Sequence, residues 1–280
     1  TGVWGLNFKF DVMCATYPPP PPPPIQTTDY HQFNDRMLYK TKYGDKFWLN
    51  NSSCIDNDIR SYSVWEPTST KIVRDIVKSG DVVLDIGANI GYYTVIISKI
   101  VGNSGKVLAF EPTKHFAKVL KENIKVNKLE NVSVYEYGLS NKESESDIFI
   151  GDNSATIHWL ENQGTPINKE TISLKALDSI IDSLNIEKID FIKIDVDGHE
   201  PSFLEGAWKT LSRYKPKILL EVAHASYFRA GFTAWDFYNE IRSRGSRIFS
   251  EKNMLEYQNL ESFLNECGNF DHGVNVLIIP

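Results

Sequence analysis

The chain has 280 residues, 41% of them hydrophobic and 24% charged, with a formal net charge of -6 and a pI near 5.6. That is ordinary globular composition with enough apolar residues for a sizeable core, and the acidic balance argues against a generic nucleic-acid binder, which needs excess Lys and Arg to displace counterions from phosphates. No apolar run approaches the ~20 residues of a membrane-spanning helix. The three cysteines, Cys14, Cys54 and Cys267, lie far apart with no metal-site or disulfide-framework spacing, so unpaired thiols in a soluble, cytoplasmic protein are expected.

Pro18 to Pro24 are seven consecutive prolines, which lack backbone N–H groups and have a fixed φ, so they predict an extended spacer outside helix or sheet. From Met37 to Leu49 apolar residues partly alternate around Gly44-Asp45, the pattern of a β-hairpin. Pro67 to Lys78 places Ile72, Val73, Ile76 and Val77 on one helical face, with Pro67 suited to a first turn. After Gly80 the chain becomes regular. Strands are predicted at Val82–Ile86, Lys106–Phe110, Val132–Tyr137, Phe191–Ile194, Ile218–Val222, Arg247–Phe249 and Val274–Ile279, with a short extra one at Asp147–Ile150. Helices are predicted at Tyr92–Val101, Thr113–Asn127, Leu174–Leu184, Pro201–Leu211 and Ala234–Arg244. Strands separated by helices at this spacing imply an α/β fold with a doubly wound, mostly parallel sheet covered on both faces. The chain thus divides into a proline-rich extension (1–30), a hairpin and helix (31–79) and a main domain (80–280).

Four strand ends carry chemistry. Asp85-Ile86-Gly87-Ala88-Asn89-Ile90-Gly91 closes the first main-domain strand and opens a helix, at the sheet edge where such folds bind ligands. Gly87 and Gly91 permit close backbone approach, Ala88 keeps the turn open, and Asp85 can accept a hydrogen bond from an amine. The pattern is DxGxxxG; a dinucleotide GxGxxG would need glycines where Asn89 and Tyr92 stand. Glu111-Pro112 ends the next strand, 26 residues after Asp85, where a carboxylate can accept both hydroxyls of a ribose. Lys193 to Glu200 ends the fourth, with Asp195 and Asp197 pointing to one side and Gly198 allowing a sharp turn. Asp195, Asp197, His199 and Glu200 include metal-ligand types, yet no further spaced ligand set accompanies them, so no metal is assigned. Glu221-Val222-Ala223-His224 ends the fifth, and His224 titrates near neutrality as a base should.

Trp65-Glu66-Pro67, GDVVLDIGANIGYYT, LAFEP, FIKIDVDGHE and ILLEV, in that order, resemble the signature segments of the FkbM-type methyltransferase family, from about Trp65 to His224. Many relatives carry Glu where Asp197 stands. The resemblance implies a seven-stranded sheet with an antiparallel last strand, S-adenosylmethionine as methyl donor, and usually O-methylation of sugar or natural-product hydroxyls. It implies a cofactor site at Glu66, Asp85, Gly87, Ala88, Asn89, Gly91, Glu111, Pro112 and Asp195, with the adenine near Gly138, Leu139 and the residues up to Asn141. Asp195 or His224 is the expected base for a small-molecule or glycan acceptor. The rival readings are a nucleotide-dependent oxidoreductase, disfavoured by the missing central glycine, and a binding module without turnover.

Overall fold

The computed structural model describes residues 32–33, 35–50, 53–151, 155–158, 168–269 and 273–280. The polyproline segment, Cys14 and the rest of the proposed extension lie outside them.

The predicted hairpin is β2 (Arg36–Lys40) against β3 (Lys46–Leu49), and β1 (Gln32–Phe33) extends it to three antiparallel strands. Helix α1 (Cys54–Tyr62) follows, with Ser53 capping the Asp56 N–H, and then α2 (Pro67–Ile76), whose proline occupies the first turn. The main domain runs β4 (Val82–Ile86), α3 (Tyr92–Val101), β5 (Lys106–Phe110), α4 (Lys114–Val126) and β6 (Val132–Tyr135). A small sheet is then inserted: β7 (Gly138–Ser140), β8 (Ser144–Ile150), β9 (Ala155–Thr156) and β10 (Asn168–Ala176). Helix α5 (Leu177–Ile180) continues into a 3₁₀ turn over Ile181–Leu184 and leads to β11 (Phe191–Ile194). Helices α6 (Glu200–Glu205) and α7 (Trp208–Tyr214) precede β12 (Lys217–Val222). Helices α8 (His224–Arg229) and α9 (Ala234–Ser243), β13 (Arg247–Ser250), α10 (Leu260–Cys267) and β14 (Val274–Ile279) complete the chain.

The large sheet has the order β13-β14-β12-β11-β4-β5-β6. Its pairs from β6 to β12 are parallel, and β14 lies antiparallel between β12 and β13. This is the doubly wound, seven-stranded sheet expected. Apolar side chains alternate between its faces: Leu84, Ile192, Leu220 and Val276 pack under Phe203, Phe237 and Phe263, whereas Val83, Phe191, Leu219 and Leu277 pack under α2, α3 and the hairpin. The small sheet, in the order β7-β10-β8-β9, stands beside it.

Three sequence expectations change. Leu174 to Ala176 are not helical; they end β10, where Ile172, Leu174 and Ala176 alternate inward in the period of a strand. The single helix expected over Pro201–Leu211 is two, broken at Gly206, because a Cβ there would sit 2.0 Å from the Ser140 carbonyl oxygen. Cys54, expected as a thiol, is disulfide-bonded, while Cys267 is free and buried.

Helix α4 fastens the hairpin to the main domain by a device the sequence does not announce. Edge strand β3 has no further strand beside it, and two asparagines one helical turn apart take that place. Asn123 accepts from the Trp48 N–H at 2.7 Å, and Asn127 both accepts from the Lys46 N–H and donates to its carbonyl, at 3.0 and 2.6 Å. The Asn123 amide also donates to the Ile90 carbonyl at 2.7 Å, so one fully buried side chain joins hairpin and glycine turn. Asn123→Leu should therefore lose on the order of 2–4 kcal/mol of stability in urea unfolding, since it strands a buried N–H and a buried carbonyl together. A loss below 1 kcal/mol would show that the bridge is dispensable.

Candidate active site

The register of the sheet sets the site. Lys193 on β11 pairs with Asp85 on β4 and with Leu219 on β12, and Glu221 on β12 pairs with Asn275 on β14. Side chains on one face alternate, so Asp85 and Lys193 form one row, with Asp195, Glu221 and Asn275 in the next row toward the carboxyl edge. Asp195 donates its N–H to the Ile86 carbonyl at 3.0 Å, continuing the β4–β11 ladder one residue past the strands. Gly87, at φ +79°, lies against that extension: a Cβ there would sit 1.8 Å from the Asp195 carbonyl oxygen. Only glycine fits. Gly91, at φ +86°, has a different reason, because its Cβ would meet the Leu120 side chain at 2.5 Å. It serves helix packing rather than the ligand approach expected of it.

Two cavities open at this edge and share Gly87, Asn89, Asp195 and Asp197. The first is apolar on most sides, walled by Phe110, Phe116, Leu139 and Val196, with Glu111, Pro112, Gly138 and His199. Its outer wall is Ile148, Ala155, Ile157, Ile172 and Leu174 of the inserted sheet. The second is polar, with Glu66, Asp85, Lys193, Asp195 and Glu221 beside Ala88 and the apolar surfaces of Ile55, Trp65, Tyr92 and Tyr93. Of the expected cofactor set, Glu111, Pro112, Gly138 and Leu139 thus gather in the first cavity, and Glu66, Asp85 and Ala88 in the second. Gly91 lines neither.

Glu111 is buried and accepts from the Asn89 N–H at 2.9 Å and from the Thr113 N–H and hydroxyl at 2.9 and 2.7 Å. A carboxylate has about four acceptor sites, so about one remains for a ligand hydroxyl, fewer than the two expected. Burial raises its pKa against those three donors. Asp85 is held by the Thr94 hydroxyl, and burial pushes it up to about 6. Glu66 stands in the left-handed region, at φ +43°, ahead of Pro67, and accepts from the Tyr93 hydroxyl at 2.6 Å and from the Asn275 amide at 3.1 Å.

The turn after β11 is crowded with acid. Glu200 is fully buried and accepts from the Val196 and Gly198 N–H groups at 2.9 and 3.0 Å, and burial pushes it up to about 8. Asp197, at φ +51°, is pushed up to about 7 by burial and by Asp195. Burial and the neighbouring Asp195 raise Glu221 well above the carboxylate range. Asp195, Glu200 and Glu221 bring carboxylate oxygens within 4.8 Å of one another. Like charges this close cannot all ionise without a cation, and protons held by Glu200 and Glu221 relieve the repulsion. His199 bonds the Ser140 hydroxyl at 2.9 Å and the His158 ring at 3.4 Å; burial lowers it to about 4, so it stands neutral.

His224 is not brought to the site. It opens α8, lines neither cavity, and donates its Nδ1 proton to the Gly268 carbonyl at 2.8 Å. Alternation explains the miss: His224 lies two residues past the end of β12, where a helix has already turned the chain away. The inserted-sheet wall was equally hidden, since Ile148, Ile172 and Leu174 read as ordinary strand interior until the strands fold over the cavity.

The sequence matches the Methyltransferase FkbM domain family over residues 85–269, well over half of the chain. The chain belongs to that family. The family's cofactor is S-adenosylmethionine. A second match, over residues 26–139, is to protein-L-isoaspartate O-methyltransferases. The chain is 28% identical over 142 residues to the hexuronic acid methyltransferase AglP of Haloferax volcanii, covering 50% of this chain and 56% of that protein. It is 27% identical over 177 residues to the antimetabolite synthetase AmbE of Pseudomonas aeruginosa, covering 50% of this chain but 8% of AmbE. Among solved structures, an FkbM methyltransferase from Methylobacillus flagellatus aligns with 75% of this chain and 50% of its own at 16% identity, with a TM-score of 0.46. An O-methyltransferase from Bacillus cereus, solved with S-adenosylhomocysteine, aligns with 77% and 81% at 20% identity and a TM-score of 0.45.

The residues present fit that cofactor. A flat apolar chamber with one acceptor left on Glu111 suits a nucleoside, and an acidic chamber beyond Gly87 suits an amine and a sulfonium. Glu111→Ala should weaken S-adenosylhomocysteine binding by about 1–3 kcal/mol, since it removes a charge-assisted acceptor. Calorimetry on the folded variant showing unchanged affinity would remove Glu111 from the nucleoside site.

Proposed function

We propose that the protein is an S-adenosylmethionine-dependent O-methyltransferase acting on a hydroxyl of a sugar or another natural product. The observation that carries this reading is that the apolar and the acidic cavity meet at Gly87, Asn89, Asp195 and Asp197, with Asp195 at the junction. The nucleoside half of the cofactor belongs with Glu111, Phe110, Leu139 and the inserted sheet, and its amine with Glu66 and Asp85. Bound there, the cofactor supplies a methyl group already activated on a sulfonium. What the chain must add is alignment, exclusion of water and a base for the acceptor proton.

Asp195 fills the last role because its carboxylate is partly exposed at the junction, whereas Glu200 is buried and spent on two backbone N–H groups and the Asp197 side chain already accepts from the Ala155 N–H. An alcohol is a poor nucleophile until its proton is shared with such a group. The rings of Trp65, Tyr92 and Tyr93 give the acidic cavity apolar faces, which suit the C–H faces of a sugar. No helix among the described residues is long and apolar enough to cross a membrane.

Asp195→Asn should keep S-adenosylhomocysteine affinity within about threefold while cutting kcat for methyl transfer to a glycan or polyketide acceptor by roughly 10²-fold or more. Retention of full kcat would reject Asp195 as the base. Activity should also survive exhaustive chelation, since both Glu200 oxygens are already spent on the Val196 and Gly198 N–H groups. Loss with EDTA and recovery with Mg²⁺ would overturn that expectation.

A further inference from the structure

Lys193 is one of the largest fully buried side chains, with 1% of its side chain exposed, and no step described so far uses it. An ammonium in a protein interior is costly unless it is paired and hydrogen-bonded. Its Nζ lies 3.3 Å from Asp195 Oδ2, 3.3 Å from the Ile194 carbonyl and 3.5 Å from Asn275 Oδ1, and it sits over the Tyr93 ring, 5.2 Å from the centroid. Asn275 then donates its amide to Glu66, which also takes the Tyr93 hydroxyl proton. The ammonium can only donate and the Glu66 carboxylate can only accept, so the Asn275 amide has a single consistent orientation between them. Lys193 therefore links the base, at the end of β11, to Glu66, which arrives from the segment ahead of α2.

The electrostatics agree. The titratable groups that act on Asp195 are Asp85 from β4, Glu221 from β12, Glu200 from α6, Asp197 from its own turn and the Tyr227 hydroxyl from α8, and Glu66 and Tyr93 line the same cavity. Arg229, on α8, acts on Asp197. Among the residues lining the acidic cavity Lys193 is the one cation. Burial pulls its pKa down, but Asp195, Glu66, Glu221 and Asp85 outweigh burial and raise it, so it stays charged throughout the working pH range.

We propose that Lys193 is a positioning residue for methyl transfer, its buried ammonium aiming the Asp195 carboxylate and orienting Glu66 through Asn275. This rests on the reading of Asp195 as the base. The test is the pH dependence of kcat for the whole chain with saturating S-adenosylmethionine, comparing wild type, K193M and K193R. K193M should lower kcat by roughly 10²-fold with KM for the acceptor changed much less. Its acid limb should move about one pH unit higher, because a carboxylate that loses a neighbouring cation gives up its proton less readily. K193R, which keeps the charge, should leave the limb where it is. A merely structural lysine would lower kcat or stability without moving the limb, and that result overturns the proposal. Should K193M not fold, K193Q removes the same charge and carries the same two outcomes. The companion variant D195N separates the two readings: activity retained in D195N rejects the base itself, whereas activity lost in D195N with an unmoved limb in K193M rejects only the role of Lys193.

Discussion

The site depends on how closely two parallel strand ends approach. β4 and β11 continue their ladder one residue past their last paired positions, through the Asp195 N–H and the Ile86 carbonyl, so the Gly87 turn presses against the Asp195 backbone. No side chain fits at Gly87, and any added atom would push the strands apart or tip Asp195 away from the junction. Both cavities are built around this contact. It leaves the backbone of the glycine turn facing both chambers, and it fixes Asp195, which with Asp197 borders them both.

A concentration of acid follows from the same register. Parallel strands in register place the side chains that end each strand in a single row, and here that row holds Asp195, Glu221 and Asn275, with Asp85 and Lys193 behind it. Burial answers the repulsion in two ways. Glu200 and Glu221 retain protons, and Lys193 supplies a fixed positive charge that needs no solvent. The result is an acidic chamber suited to a cationic sulfonium, with its carboxylates tied into hydrogen bonds.

Around this core the chain adds two pieces by different means. The hairpin is attached by polar groups, as Asn123 of α4 and Asn127 at its C-terminal cap pair with the edge of β3, and Asn123 at the same time holds the Ile90 carbonyl of the glycine turn. The inserted sheet is attached by apolar contact, laying Ile148, Ile172 and Leu174 over the nucleoside chamber, and by two bonds from β9 to the turn after β11. In those bonds the Thr156 hydroxyl donates to the Asp197 carbonyl and the Ala155 N–H to the Asp197 side chain. The Asp197 carboxyl, pushed up to about 7, is therefore a clamp on the wall as well as part of the floor.

Sequence alone determined the large sheet, its helices and the strand-end motifs, because apolar periodicity and short glycine-bearing turns are local properties that the residues carry with them. The hairpin at Gly44-Asp45 and the strand-end motifs from Asp85 to Glu111 were legible for that reason. The tertiary structure decided which strand-end residues meet. His224 and Asp195 look alike as candidates on paper, yet two residues of helix turn the histidine toward Gly268 while the ladder carries the aspartate to the junction. Lys193, Asn275 and Glu66 lie at most 209 residues apart in sequence and share one network only because β14 returns antiparallel beside β12. No local pattern encodes that return, since a buried lysine and a strand asparagine acquire partners only when distant segments are stacked in register.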